Sequence, residues 1–99
     1  MAKLDTKNRI SLRKDLIPWK YPSTVEIFYN PIEKAVGVVP SYTDTSKYRV
    51  IDKRKVDNQG RLQMTTCILD ALCANPTDNF LVFLYEGTIF IKKHDNGTG

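Results

Sequence analysis

Val-Asp-Asn-Gln-Gly-Arg-Leu-Gln-Met, residues 56–64, repeats in altered form Leu-Asp-Thr-Lys-Asn-Arg-Ile-Ser-Leu, residues 4–12. In both stretches an Asp and an Arg stand four positions apart, Asp5 with Arg9 and Asp57 with Arg61. An apolar residue precedes each pair, and an apolar-polar-apolar strand pattern follows it. One short chain therefore carries one unit twice, with the copies 52 residues apart. A unit of that length is marginal alone, because it buries too little of its unfolded surface to offset chain entropy. The two copies are expected to share a core and to form one domain over 1–99, with copy one at 1–40, a linker at 41–46, copy two at 47–93 and a flexible tail at 94–99.

Reading outward from the two loops, copy one opens with almost no strand, since only Ala2 to Leu4 precede Asp5. Ile10-Ser11-Leu12 alternates as a half-buried strand. Pro18 and Pro22 forbid a long helix after it, and Trp19 and Tyr21 are expected to pin the intervening turn to the core. Val25 to Tyr29 and Ala35 to Val39 predict a hairpin closed by Asn30-Pro31-Ile32-Glu33-Lys34.

Copy two gains a full leading strand, Lys47 to Val56. Period-two alternation would place Arg49, Ile51, Lys53 and Lys55 together on one mostly basic face. Asp57 to Gly60 turns the chain, with Gly60 free to take positive φ, and Leu62-Gln63-Met64 returns as a strand. Thr65 or Thr66 caps a helix through Ile68, Leu69, Leu72 and Cys73, ended by Pro76-Thr77-Asp78. Phe80 to Tyr85 and Ile89 to Ile91, joined at Glu86-Gly87-Thr88, predict a second hairpin of two well-buried strands.

Charge is distributed unevenly. The chain carries +4 in all. Residues 1–40 hold seven basic against four acidic residues, residues 41–55 five against two, and residues 56–99 three against five. Positive charge thus gathers in the first copy and the approach to the second, which suits an acidic partner such as duplex nucleic acid. Cys67 and Cys73, six apart in the predicted helix, point away from each other, which reads as two reduced apolar side chains in a cytosolic protein. No apolar run reaches the ~18 residues of a membrane span and the N-terminus lacks a signal peptide's apolar stretch, so a soluble, cytoplasmic, nucleoid-associated protein is expected.

The repeated loop has a definite chemistry. Each Asp can accept hydrogen bonds from turn N–H groups and orient its Arg. Arg9 shares strand parity with Ser11, and Arg61 with Gln63, so both arginines face away from Ile10, Leu12, Leu62 and Met64. A guanidinium held on a rigid turn suits bidentate contact with guanine or phosphate, and two such turns related by a repeat suit two half-sites of a duplex. The plainer reading is a local ion pair that only stabilises its turn, at roughly 0–1 kcal/mol. The repetition of the loop, and the basic residues Lys7, Arg13, Lys14, Lys53, Arg54 and Lys55 around it, favour the binding role.

The stretch Lys53 to Lys93, with its Asp-Asn-Gln-Gly-Arg loop, short helix, Pro-Thr-Asp and closing hairpin ending Ile-Phe-Ile-Lys-Lys, resembles the AbrB/MazE/SpoVT swapped-hairpin family. The doubled Asp-x-x-x-Arg is similar to the tandem organisation of the MraZ family. The resemblance implies a mainly β fold with short helices, a swapped-hairpin β-barrel made from two copies in one chain. It also implies a prokaryotic transcription regulator that binds double-stranded DNA. Carried over by position, Arg9 and Arg61 make the principal contacts, supported by Lys7, Asn8, Arg54, Lys55 and Gln59, while Asp5, Asp57 and Gly60 organise the loops. Asn8 stands where the family usually has Gly, and Arg13 and Thr65 where it usually has Pro.

No zinc spacing, phosphate loop or nucleophile motif is present, so no catalysis, metal or cofactor is expected. Two other readings stay open. The chain could be an antitoxin-like interaction module that binds a toxin partner, or a scaffold whose first copy only completes the barrel. A homo-oligomer, dimeric or higher, is compatible with all of them.

Overall fold

A computed structural model of the chain describes residues 2–94. Among the described residues the strands are β1 (Ala2–Lys3), β2 (Arg9–Ser11), β3 (Ser23–Asn30), β4 (Ala35–Pro40), β5 (Arg49–Val56), β6 (Arg61–Gln63), β7 (Asn79–Tyr85) and β8 (Thr88–Lys93), and the one helix is α1 (Thr66–Ala71). The fold is mainly β. Among the described residues no helix is long and apolar enough to cross a membrane.

Local sequence explains most of these elements. β3 and β4 are rich in β-branched residues and meet at a turn where Asn30 Oδ1 accepts from the N–H groups of Ile32 at 3.0 Å and Glu33 at 3.2 Å. Thr65 caps α1, its hydroxyl accepting from Ile68 N at 3.4 Å. The helix stops well before Pro76, because Cys73 adopts a left-handed φ of 51° and Ala74 N–H closes back onto Leu69 O at 2.9 Å. Cys73 therefore lies outside the helix predicted to contain it, and both cysteines are exposed free thiols, Cys67 Sγ donating to Ile51 O at 3.2 Å.

Pairing runs between the halves of the chain. Six strands form one antiparallel sheet in the order β1-β7-β8-β4-β3-β5, and β2 pairs with β6 in a separate ladder. The leading strand of each half lies on the first strand of the other half's closing hairpin, β1 on β7 and β5 on β3. The two hairpins meet through β4 and β8 at the sheet centre. Read from either edge, the sheet has the same succession of leading strand and hairpin.

The main core fills the space between one sheet face and the β2–β6 ladder with α1. Ile10, Leu12, Leu62, Met64 and Ile68 meet Val25, Ile27, Val38, Phe80 and Ile91 there. Trp19 is buried in it and Tyr21 packs against it. A smaller cluster of Phe28, Ala35, Val39 and Phe90 occupies the reverse face. There the Phe28 ring lies directly over Gly37 and stacks on Tyr48 with centroids 4.1 Å apart.

Four expectations are corrected. Among the described residues the sheet is not a closed barrel: β1 and β5 are its edge strands, and the strands that follow them, β2 and β6, use their hydrogen bonds on each other. The basic stripe on β5 is broken by a bulge, since Ile27 pairs with Asp52 and Phe28 with Val50, leaving Ile51 as the extra residue. Arg49 consequently falls on the opposite side of the sheet from Lys53 and Lys55. β7 is less buried than its apolar sequence implies, with Leu81 at 39%, Leu84 at 41% and Tyr85 at 61% exposure. Finally, His94, placed in the expected tail, is tied by its N–H to Asn79 O at 2.9 Å, while residues 95–99 lie outside the described residues.

A Cβ at position 37 has no room beneath Phe28, so the ring or the strand must shift. Gly37→Ala is expected to destabilise the chain by about 1–3 kcal/mol in urea unfolding, the usual cost of overpacking a core.

Candidate nucleic-acid interface

The two repeated loops fold alike, bond for bond. In the first, Asp5 Oδ1 accepts from the N–H groups of Lys7 and Arg9, each at 2.9 Å, and Asp5 Oδ2 accepts from Arg9 Nε at 2.8 Å. In the second, Asp57 Oδ1 accepts from Gln59 and Arg61 N–H, each at 2.9 Å, and Oδ2 from Arg61 Nε at 2.8 Å. The backbones agree as well. Asp5 N–H donates to Arg9 O at 3.0 Å and Asp57 N–H to Arg61 O at 3.1 Å. The residue before each Arg closes the turn onto its Asp carbonyl, Asn8 at 3.0 Å and Gly60 at 2.9 Å.

That last residue must be left-handed. Asn8 has φ 58° and Gly60 φ 76°, the region Asn tolerates and Gly enters without steric cost. Gly60 is also confined, because a Cβ there would sit 3.1 Å from Leu12 O.

The ladder that joins the loops sets the direction of the arginines. Arg9 lies opposite Gln63, Ile10 opposite Leu62 and Ser11 opposite Arg61. Residues opposite one another in an antiparallel pair point to the same side, so Arg9, Ser11, Arg61 and Gln63 share one face while Ile10 and Leu62 fill the core behind it. The loops stand at the two ends of this ladder. Strand rise and spacing put the two arginine Cα atoms roughly 8 Å apart. Leu12 N–H donates to Gly60 O at 2.8 Å and Met64 N–H to Asn8 O at 2.9 Å, so each loop is locked to the opposite strand.

Both arginine side chains are half-buried, at 25% and 31% exposure, and their aspartates at 35% and 34%. The ion pairs engage Nε only. Among the described residues no partner takes the terminal Nη atoms, which leaves a planar donor edge on each guanidinium for an external acceptor.

Both organising carboxyls are held below the ordinary carboxylate value. For Asp5 the chief cause is the hydrogen bond from Arg9 N–H, with burial opposing and Lys7 N–H and the Arg9 side chain adding to it. For Asp57 burial is the largest influence and opposes ionisation, but the hydrogen bonds from Arg61 and Gln59 together with the Arg61 charge outweigh it.

The remaining sequence-identified residues are dispersed. Lys7, Asn8 and Gln59 are exposed at the loop tips. Arg54 lies opposite Val25, on the side of the sheet that carries the ladder, and its Nε is 3.3 Å from Asp52. Lys55 lies opposite Thr24 and points to the reverse side. Arg13 is spent on Asp15 at 2.9 Å. Gln63 was missed as a site residue: its Nε2 donates to Lys7 O at 2.8 Å and to Asn8 O at 3.3 Å, bracing the first loop from the second strand. Its parity with Arg61 was the available signal. Asp52 was missed too. It accepts from Thr65 Oγ1 at 2.7 Å and so links β5 to the helix cap. No protein-family model matches this chain, and no curated protein matches it.

Because Asp5 and Asp57 titrate lower when folded, the unfolded chain binds more protons in the acid range, and the stability they contribute is complete above the ordinary value of about 3.9. It is lost as pH falls through the lowered values. Urea unfolding is expected to show a plateau near neutrality and a decline below about pH 4. The Asp5→Asn, Asp57→Asn double variant should be weaker at neutral pH and show a shallower acid limb; an unchanged limb would assign acid sensitivity elsewhere.

Proposed function

We propose that the chain is a sequence-specific, double-stranded-DNA-binding transcriptional regulator. In this reading it is a swapped-hairpin unit of the AbrB/MazE/SpoVT kind, assembled from two tandem copies as in MraZ proteins. The observation that carries the proposal is the matched pair of loops, which aim Arg9 and Arg61 from one ladder face with their Nη donors unspent. A single Asp–Arg turn has an adequate structural explanation. Two copies with the same hydrogen bonds, on one outward face, match the symmetry of a duplex.

The dimensions agree with this use. Arginines with Cα atoms roughly 8 Å apart fit within a major groove about 12 Å wide, where a guanidinium can bond guanine O6 and N7 in a bidentate manner. Lys7, Asn8 and Gln59 at the loop tips then meet backbone phosphate, and Arg54 extends the positive surface on the same side of the sheet. Lys55, on the reverse side, adds only to the long-range field. Exchange of leading strands between the halves supports the swapped-hairpin reading, since each half is completed by the other. Occupying promoter DNA would be the regulatory act.

Selection from a random duplex pool supplies the site for the test. Arg9→Ala and Arg61→Ala should each weaken binding by about 1–3 kcal/mol and relax preference at separate positions. If six phosphates are neutralised, log affinity falls with log salt at a slope of roughly −5. Binding that stays flat across salt concentrations rejects the proposal, and a silent Arg9→Ala reduces the first copy to a scaffold.

A further inference from the structure

The two ends of the β2–β6 ladder match in backbone and differ in one side chain. The repeat carries Arg9 onto Arg61 and Ile10 onto Leu62, and so Ser11 onto Gln63. Gln63 lies opposite Arg9 and Ser11 opposite Arg61, all four on the outward face, and both Ser11 and Gln63 are exposed. Beside each arginine, one of these two polar residues is the next group that a ligand on this face meets.

Their hydrogen bonding is unequal. Gln63 Nε2 donates to Lys7 O at 2.8 Å and to Asn8 O at 3.3 Å. Both partners are carbonyls, which fixes the amide one way round: its NH2 turns to the first loop and its Oε1 is left as an acceptor. Among the described residues nothing donates to that Oε1, and Ser11, two carbon atoms shorter, makes no side-chain bond to the corresponding carbonyls of Gln59 and Gly60. The second loop is steadied by other means, since Ile17 Cδ1 and Lys14 Cγ lie 3.4 and 3.5 Å from where a Cβ on Gly60 would stand.

We infer that Gln63 is a specificity-determining residue that makes the two ends of the ladder read different bases. The inference rests on the DNA-binding reading above. A glutamine with a free amide bonds adenine through both N6 and N7. Gln63, its NH2 held by the loop, presents an acceptor alone. It therefore selects a base with an exocyclic amino group in the major groove, adenine or cytosine, against the O6 of guanine and the O4 of thymine. That base adjoins the guanine contacted by Arg9. The Ser11 hydroxyl donates or accepts as the base requires, so the position beside the guanine of Arg61 stays unselective. A reader with two-fold backbone symmetry thus recognises a site that is not a palindrome.

Selection from a random duplex pool with the wild type, Gln63→Ser and Ser11→Gln tests this. The wild type should enrich a site with adenine or cytosine favoured about two- to tenfold beside one guanine only, the worth of one neutral hydrogen bond. Gln63→Ser should keep both guanines and lose that preference. Ser11→Gln should gain it at the other end, making the halves alike. The brace is measured without DNA: the Gln63 side-chain amide protons should exchange with water more slowly than those of Gln59, exposed at its loop tip. Equivalent halves in the wild-type site overturn the inference, as does an asymmetry that survives Gln63→Ser or a Gln63 amide that exchanges as fast as that of Gln59. If Gln63→Ser fails to fold, Ser11→Gln decides alone, and a site unchanged by it overturns the inference too. A protected Gln63 amide in a chain that enriches no duplex rejects the DNA-binding reading itself, and the inference falls with it.

Discussion

Ile10 facing Leu62 across a three-residue ladder is the contact on which the rest depends. Both side chains are fully buried, and burying each contributes about 1.5–3 kcal/mol. A slip of one residue would turn them outward and drive Arg9 and Arg61 into the core, where an unpaired charge costs several kcal/mol. The hydrophobic effect on one face therefore fixes where the guanidinium groups stand on the other. Two strands too short to persist separately hold each other in register because each half supplies one of them.

The loops convert that register into chemistry. One carboxylate in each loop ties down two backbone N–H groups and one Nε, so backbone shape and side-chain direction are set by a single ion. An arginine held this way loses less conformational freedom on meeting a ligand than one on an open surface. Nearby, Asp52 performs a related structural task. Its carboxyl is held below the ordinary value although burial opposes this most strongly, because Thr65 Oγ1, Lys53 N–H and Arg54 all stabilise the charged form. The strand leading into the second loop is thereby fastened to the helix that follows it.

Much of this was legible in residue order. The repeated Asp-x-x-x-Arg, the Asn-Pro turn at residue 30, the capping Thr65 and the need for positive φ at Gly60 are local matters, decided within a few residues of chain. The bulge at Ile51 was not legible, because a bulge exists only relative to the strand across from it, here β3. Nor was the exposure of Leu81, Leu84 and Tyr85: seven apolar or neutral residues in a row imply burial on both faces, yet β7 lies next to the edge of the sheet, where its place depends on strands distant in the chain. The asymmetry of Arg54 and Lys55 was readable from strand parity, but which side carries the ladder was not.

By itself the sequence determined the two turns, the strand segments, the cap and the duplication, since each follows from steric limits and hydrogen bonds between near neighbours. Only the tertiary structure decided that the leading strands cross to the opposite hairpins, that the sheet stays open, and that both arginines emerge on one side. Those outcomes belong to pairs of distant segments. Burial and ladder hydrogen bonds have no value until a partner strand is in place, and no single stretch of this chain specifies its partner alone.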